Sequence, residues 1–256
     1  MSDAAANGLT TATVLAGRGI RLSRRNLDAV ITSLMMPVLL MLVFVYFFGG
    51  AIDTGDTRYV TYVVPGVLVL CAGFGAAGTA VSVSEDMRSG TVDRLRTLDV
   101  GAVPFLTGHV VAAVARNVLA TTLVFGVAAL IGFRPAATAA GWLAAIGLLL
   151  VYITAVSWLA AAAGLVARTP EAAGAVTFFM MFLPYPSSAF VPIDTMPSWL
   201  HGFAEHQPVT PLIESMRGLL LDQPVGDAPW TTLAWSAGIL ALSMTAAGAL
   251  FRHRTR

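Results

Sequence analysis

The chain has 256 residues, 57% of them hydrophobic and 11% charged, with a net charge of +1 and a mean hydropathy of +0.78. A soluble domain is about 25% charged, so this composition excludes a soluble enzyme and a disordered chain. The near-neutral balance also leaves no basic field for nucleic acid. What remains is an all-α polytopic membrane protein, in which six spans of about 20 residues each would use roughly half of the sequence.

Residues 1–28 are too polar for the hydrocarbon. Leu9, Ala16, Ile20 and Leu27 share one helical stripe while Arg18, Arg21 and Arg25 fall on the opposite face. That pattern predicts a helix lying in the membrane interface rather than a frayed basic tail. It is not a signal peptide, because about twenty mixed residues precede the first apolar run and no small-residue cleavage site follows closely. Span one is predicted over 29–48, closed by Gly49-Gly50 and an acidic loop with Asp53 and Asp56. Span two covers 60–83, with Pro65-Gly66 near its start and Gly73, Gly75 and Gly78 in its middle. Small residues there let helices approach closely, since lipid supplies no hydrophobic drive for association.

The polar stretch 84–99 follows, with Met87, Val92 (or Thr91), Leu95 and Leu98 at helical spacing and Asp93, Arg94, Arg96 and Asp99 displayed elsewhere. A short amphipathic surface helix able to dock in a partner's groove fits this pattern; the alternative is a solvated charged loop. Gly90 permits a tight bend before it. The third apolar stretch, 105–133, is longer than one span, so its first turns are expected at the interface and 110–133 in the bilayer. Span four is 142–166, and span five, 172–183, is short before Pro184 and Pro186 interrupt it.

Eight of the thirteen prolines lie in the following segment, 184–230, which is far too long for a helix hairpin. A short helix is predicted over 196–205, capped by Asp194 or Thr195 with Pro197 in its first turn. A second begins at Thr210-Pro211, with Leu212, Ile213, Met216, Leu219 and Leu220 apolar. Apolar faces on such short helices predict re-entry at the bilayer edge, which irregular backbone tolerates only among protein or water. Span six, 233–251, ends in a basic tail from Arg252 to Arg256.

An inside N-terminus places Arg18, Arg21, Arg24, Arg25, Arg88, Arg94, Arg96, Arg168, Arg252, Arg254 and Arg256 in the cytoplasm. Arg58, Arg134 and Arg217 lie outside and Arg116 falls within span three. Eleven against three is the positive-inside pattern. Both termini are then cytoplasmic and the span count is even.

Fifteen cations are present and all are arginine. A chain without lysine carries neither the GxxxxGK[ST] phosphate loop nor a Schiff-base lysine, so any ATP-driven work needs an ATPase on another chain. Absence of lysine beside abundant Ala, Gly and Arg also points to a GC-rich bacterial genome. The single cysteine, Cys71, excludes an intrachain disulfide. His109, His201, His206 and His253 form no HExxH motif. His201 and His206 beside Glu205 read as polar rim residues of an outer helix rather than a metal site. No acid lies deep in a span, which argues against an ion-coupled carrier. No ring of polar pore residues supports a channel, while a non-transporting scaffold stays open. Arg116 reads as snorkelling or pairing near the cytoplasmic end, with substrate contact as the alternative. Phe178, Phe179, Phe182 and Tyr185, with Phe74 of span two, are candidate lining for a planar or lipid-like amphiphile. Helix packing and an interfacial belt are the plainer account of the same aromatics.

Taken together in order, three groups of residues carry a resemblance. They are Tyr62…Pro65-Gly66 in span two, Glu85…Gly90-Thr91…Arg94-Leu95 in the polar loop, and Ser188…Phe190…Pro192…Met196-Pro197…Trp199-Leu200…Pro208…Pro211 in the outer segment. With these the sequence resembles the permease of type-2 ABC transporters, close to the daunorubicin-resistance-like drug exporters, over nearly the whole chain. One departure is the proline expected just after the loop: Asp99 and Val100 stand there, and Pro104 is the nearest counterpart.

The resemblance implies a single permease domain over 1–256 with six membrane helices, both termini cytoplasmic, in a bacterial cell membrane. The partners it implies are a second permease, identical or related, and two cytoplasmic ATPase subunits that bind ATP and Mg. It makes the N-terminal helix an interfacial elbow and 84–99 a coupling helix in which Glu85, Arg88, Gly90, Thr91, Arg94, Leu95 and Leu98 meet the ATPase. Phe190, Pro192, Met196, Pro197 and Trp199 become candidates for the outer gate. Its cargo class is drug-like or amphiphilic, with polysaccharide or lipid as alternatives, and the chain itself holds no cofactor or metal.

Overall fold

The computed structural model describes residues 17, 27–52, 54, 57–90 and 102–254. The expected interfacial helix therefore lies outside the described residues except for Gly17 and its last two positions, and so does the loop from Thr91 to Asp99. The described residues are all-helical. Helix α1 (Leu27–Val43) is prolonged by a π-helical turn, Phe44–Phe48. It is followed by α2 (Tyr59–Arg88), α3 (Ala102–Leu130), α4 (Ala139–Val166) and α5 (Pro170–Phe182). A 3-10 turn, Ile193–Thr195, leads to α6 (Ser198–His206), α7 (Val209–Leu221) and α8 (Ala228–Arg254).

Among the described residues four helices, α2, α3, α4 and α8, are long and apolar enough to cross a membrane; Leu34–Phe48 and α5 are shorter apolar stretches. The 13 residues of α5 rise about 20 Å, less than a hydrocarbon core of ~30 Å. Helices α4 and α5 start where the sequence supplies a cap: Thr138 accepts from Gly141 N and Thr169 from Ala172 N, with Pro170 opening α5.

The central element is α2, which packs against α1, α3, α4, α5 and α7. It is 78% buried along its most apolar stretch, against 17% for the matching stretch of α8, which lies on α4 and α7. Its small residues explain how so many helices fit around it. A Cβ at Gly73 would sit 3.2 Å from Met181 Cα, and one at Gly75 would collide with the Asn117 side chain, whereas Gly78 faces open space. Two of the three expected packing glycines thus do that work. One large hydrophobic cluster fills most of the bundle. A smaller one joins Val83, Phe105, Leu106, Trp158 and Phe251 at the end where α2 hands over to α3. That is called the loop end here, and the opposite end, topped by α6, α7 and the 184–197 segment, the crown.

The boundaries differ from expectation where hydrogen bonding, not hydropathy, sets them. Helix α2 runs past Val83 to Arg88, so Glu85 and Arg88 form its last turn rather than opening a separate coupling helix. Gly90, at φ +73°, then takes the left-handed turn that the bend required. The first turns of α3 pack within the protein: Phe105 and Leu106 are buried in the loop-end cluster. Helix α3 stops at Leu130, Gly132 turns at φ +105°, and Phe133 folds back into the core edge-on to Phe125. The helix expected over 196–205 is Ser198–His206. Asp194 and Thr195 belong to the 3-10 turn, where Thr195 Oγ1 donates to Pro192 O at 2.7 Å, and Pro197 is the N-cap rather than part of the first turn. Helix α8 begins five residues before Leu233 and carries Arg252 and Arg254 within it.

Candidate functional site

The crown holds an aromatic column. Phe182 at the end of α5 stacks on Tyr185 (centroids 5.5 Å apart), Tyr185 on Phe190 (5.3 Å), and Phe190 on Phe44 of the π turn (4.2 Å). Phe48 continues it at 5.5 Å. Phe190 is buried while Phe182 and Phe48 are exposed, so the column opens to the surface at both ends. Offset aromatic faces of this kind suit planar apolar ligands.

The column is fastened through backbone carbonyls. Tyr59 Oη donates to Phe190 O at 3.0 Å. Arg217 Nη2, from α7, donates to Ser188 O at 2.8 Å and Tyr62 O at 3.2 Å, and its guanidinium carbon lies 3.9 Å from the Tyr62 ring centroid. Hydrogen bonds from a charged donor contribute about 1.5–3 kcal/mol, and a guanidinium over a ring adds roughly 0.5–2 kcal/mol. Burial holds the Arg217 guanidinium below its ordinary pKa, with Tyr62 and Glu214 pulling the other way. Gln207, between α6 and α7, accepts from Val209 N and turns its amide nitrogen toward the carbonyls of Leu183 and Pro186. Gly66 of α2 completes the seat: a Cβ there would lie 2.7 Å from Ala189 Cβ and 2.8 Å from its backbone.

Sequence reasoning grouped five aromatics as a path, and the structure divides them. Phe182 and Tyr185 join the column, and Phe190 of the expected gate joins them. Phe178 and Phe179 lie on the exposed face of α5 instead, and Phe74 packs half-buried against the main cluster. Of the other gate residues, Pro192 precedes the 3-10 turn, Met196 O contacts His201 Nε2 at 2.8 Å, Pro197 precedes α6, and Trp199 is 80% exposed. His206 bonds to Gly202 O within its own helix. Among the described residues no three His, Cys, Asp or Glu side chains gather as for a metal ion.

At the loop end, Asp86 Oδ2 meets His109 Nε2 at 3.1 Å, and Ser82 Oγ lies 3.4 Å from His109 Nδ1. The Phe105 ring packs edge-on against the imidazole. Ser, His and Asp in a row suggest a hydrolase only superficially. An oxyanion hole needs backbone N–H groups aimed at a reacting centre, and these three side chains sit on α2 and α3, whose mid-helix amides are engaged in the helices. The pair braces α2 to α3. Glu85 and Arg88 are exposed beside it, while Thr91, Arg94, Leu95 and Leu98 lie outside the described residues. Within span three, Arg116 Nη2 reaches Thr79 Oγ1 at 3.4 Å, and its Cα–Cβ bond tilts toward the α3 N-terminus at the loop end, as helix geometry requires.

Phe44, Tyr59, Gln207, Arg217, Asp86 and His109 were not foreseen as site residues. One signal was present for Arg217: it was an exception to the arginine asymmetry, and a cation that breaks the rule needs a local reason.

Residues 10–221 match the ABC-2 type transporter family. The chain is 31% identical over 223 residues to the daunorubicin resistance ABC transporter permease protein DrrB1 of Streptomyces coeruleorubidus, covering 86% of this chain and 78% of that protein. It is 26% identical over 223 residues to the probable doxorubicin resistance ABC transporter permease protein DrrC of Mycobacterium tuberculosis, covering 84% of this chain and 78% of that one.

Proposed function

The chain belongs to the ABC-2 type transporter family, and from that premise we propose that it is the membrane permease of an ATP-driven exporter for hydrophobic or amphiphilic small molecules. The observation that carries the cargo class is the aromatic column, open at both ends and seated on a fixed backbone. The names of the two drug-resistance relatives agree with it.

In this reading the loop end is cytoplasmic and the crown outside, as the arginine asymmetry requires. The π-extended α1 and the short α5 complete six spans, with α5 continued by the 184–190 turn. Separate ATPase subunits bind ATP and Mg, consistent with a lysine-free chain. They dock on the loop after Gly90, and the Asp86–His109 brace passes their motion into α2 and α3. The apolar faces of α1 and α5, where Phe47 and Phe178 are exposed, have room for a second permease and lipid.

Inside-out vesicles containing the chain and an ATPase subunit from the same genome should accumulate a fluorescent planar amphiphile only when ATP is hydrolysed. Accumulation driven by a proton gradient without ATP would replace this reading with an ion-coupled carrier. Leu95→Ala should weaken ATPase co-purification about tenfold or more, since even ~1.4 kcal/mol of lost apolar contact is a factor of ten. Arg94→Glu should hurt more at low salt, where charge pairs are unscreened, and Gly90→Val should mis-aim the loop because its φ is left-handed. Wild-type ATPase binding and transport in all three variants would remove the loop from coupling.

A further inference from the structure

The three arginines that break the charge asymmetry all bond to backbone carbonyls. Arg58 Nη2 donates to Gly132 O at 2.9 Å, and Arg134 Nη1 to Phe133 O at 3.0 Å. Both are exposed and close the C-terminal end of α3, where cations are ordinarily found. Arg217 is different. It lies in the body of α7, and its acceptors belong to two other elements: Tyr62 O in the first turn of α2 and Ser188 O in the turn after α5. A helix-capping role does not account for it.

Around that turn the contacts converge. Ser188 is held by Arg217, Ala189 rests on Gly66, and Phe190 O receives the Tyr59 hydroxyl. Three successive residues are thus fixed from α2 and α7, and the last of them, Phe190, stacks on Tyr185 in the aromatic column. The guanidinium suits the position: its carbon lies over the Tyr62 ring while its Nη2 donates to two carbonyls. An ammonium keeps the charge and loses the planar fork of donors. Glu214, one turn earlier on α7, and Tyr62 are the groups acting electrostatically on it.

We propose that Arg217 is a positioning residue that clasps the 184–190 turn to α2, so that Tyr185 and Phe190 present a single surface and discriminate among exported molecules by shape. The clasp stands on the geometry alone; its consequence for discrimination rests on the export reading.

The clasp can be tested without a partner subunit. With Cys71 replaced by alanine, Ser188→Cys puts a nearly isosteric thiol at a buried position of the turn, and Ser157→Cys puts one at a buried position of α4. N-ethylmaleimide labelling at position 188 should speed up about tenfold or more on Arg217→Gln, the factor that loss of a charge-assisted bond carries into a local opening equilibrium. Labelling at position 157 should not change. Equal rates at 188 with and without Arg217 would overturn the clasp, and so would a parallel rise at both positions, which would mean general loosening. Arg217→Lys and Tyr62→Leu should each give an intermediate rise, whereas Tyr62→Phe keeps the ring and should stay within about twofold of wild type.

In vesicles with the ATPase subunit, Arg217→Lys should change the ratio of KM values for a planar aromatic and an aliphatic amphiphile by about threefold or more. A uniform loss of transport at constant ratio would sink the discrimination role. Absence of ATP-dependent transport by the wild type would remove the export reading while the labelling result still decided the clasp.

Discussion

At the crown, α2 is tied by contacts that end on backbone: Tyr59 to Phe190 O, Arg217 to Tyr62 O, and Gly66 against the Ala189 main chain. At the loop end it is tied to α3 through side chains, Asp86 and Ser82 against His109, over the small cluster of Phe105 and Val83. A carbonyl held in a turn has no rotamers to change, so the crown ties bring segments distant in sequence into one geometry. A side-chain pair can part when either partner rotates. The same helix is therefore clamped at one end and braced at the other.

The largest expected effect breaks the clamp. Gly66→Val places a branched side chain where even a Cβ would lie 2.7 Å from Ala189 Cβ. Overpacking costs about 1–3 kcal/mol when side chains alone must move, and here backbone must move. Loss of the folded peak in detergent size-exclusion chromatography is the expected result. A monodisperse Gly66→Val protein with wild-type thermal stability would show that the turn is not seated on α2.

The brace should give less. Interhelical polar contacts in membranes average about 0.6 kcal/mol in double-mutant cycles, so Asp86→Asn and His109→Gln should each lower thermal stability slightly. The cycle should return a coupling of that size. If the loop after Gly90 docks an ATPase subunit as proposed, their effect on ATPase co-purification should exceed their effect on stability, because they fix the helix ends that flank it. A stability loss as large as that of Gly66→Val, or no coupling in the cycle, would erase the difference between the two ends.

How much of this was legible follows from the kind of contact. Long apolar helices show in the sequence because lipid demands about twenty apolar residues in a row, and α4 was predicted within three residues at its start and exactly matched at Val166. Their ends were less visible. Glu85 to Arg88 are polar and still helical, since hydropathy reports what lipid tolerates and helix termini follow hydrogen bonds and left-handed glycines such as Gly90. The crown was flagged by its prolines, and Tyr185 and Phe190 were singled out one by one. Its organisation was hidden because Arg217 reaches a carbonyl 155 positions away, and a carbonyl carries no residue identity. Phe44 was hidden for a similar reason: inside an apolar span one phenylalanine reads like the next until its partner is known.

The smallest expected effect separates two glycines of one helix. Gly78 shares α2 with Gly66 and was grouped with Gly73 and Gly75 as a packing residue, yet nothing lies within 4 Å of where its Cβ would be. Alanine is favoured over glycine by roughly 0.5–1 kcal/mol in a helix interior, so Gly78→Ala should leave the isolated chain as stable as before or slightly more so. A loss of stability would mean that a neighbour fills that space within the chain, and the contrast with Gly66 would disappear. The same variant also examines the assembled state. If Gly78→Ala keeps the thermal stability of the isolated chain but blocks association with a second permease, the open side of α2 is covered only on assembly. The three central glycines would then divide their work, with Gly73 and Gly75 admitting helices of the same chain and Gly78 admitting another. Unchanged association would leave that face to lipid, which accommodates one extra methyl group at no measurable cost.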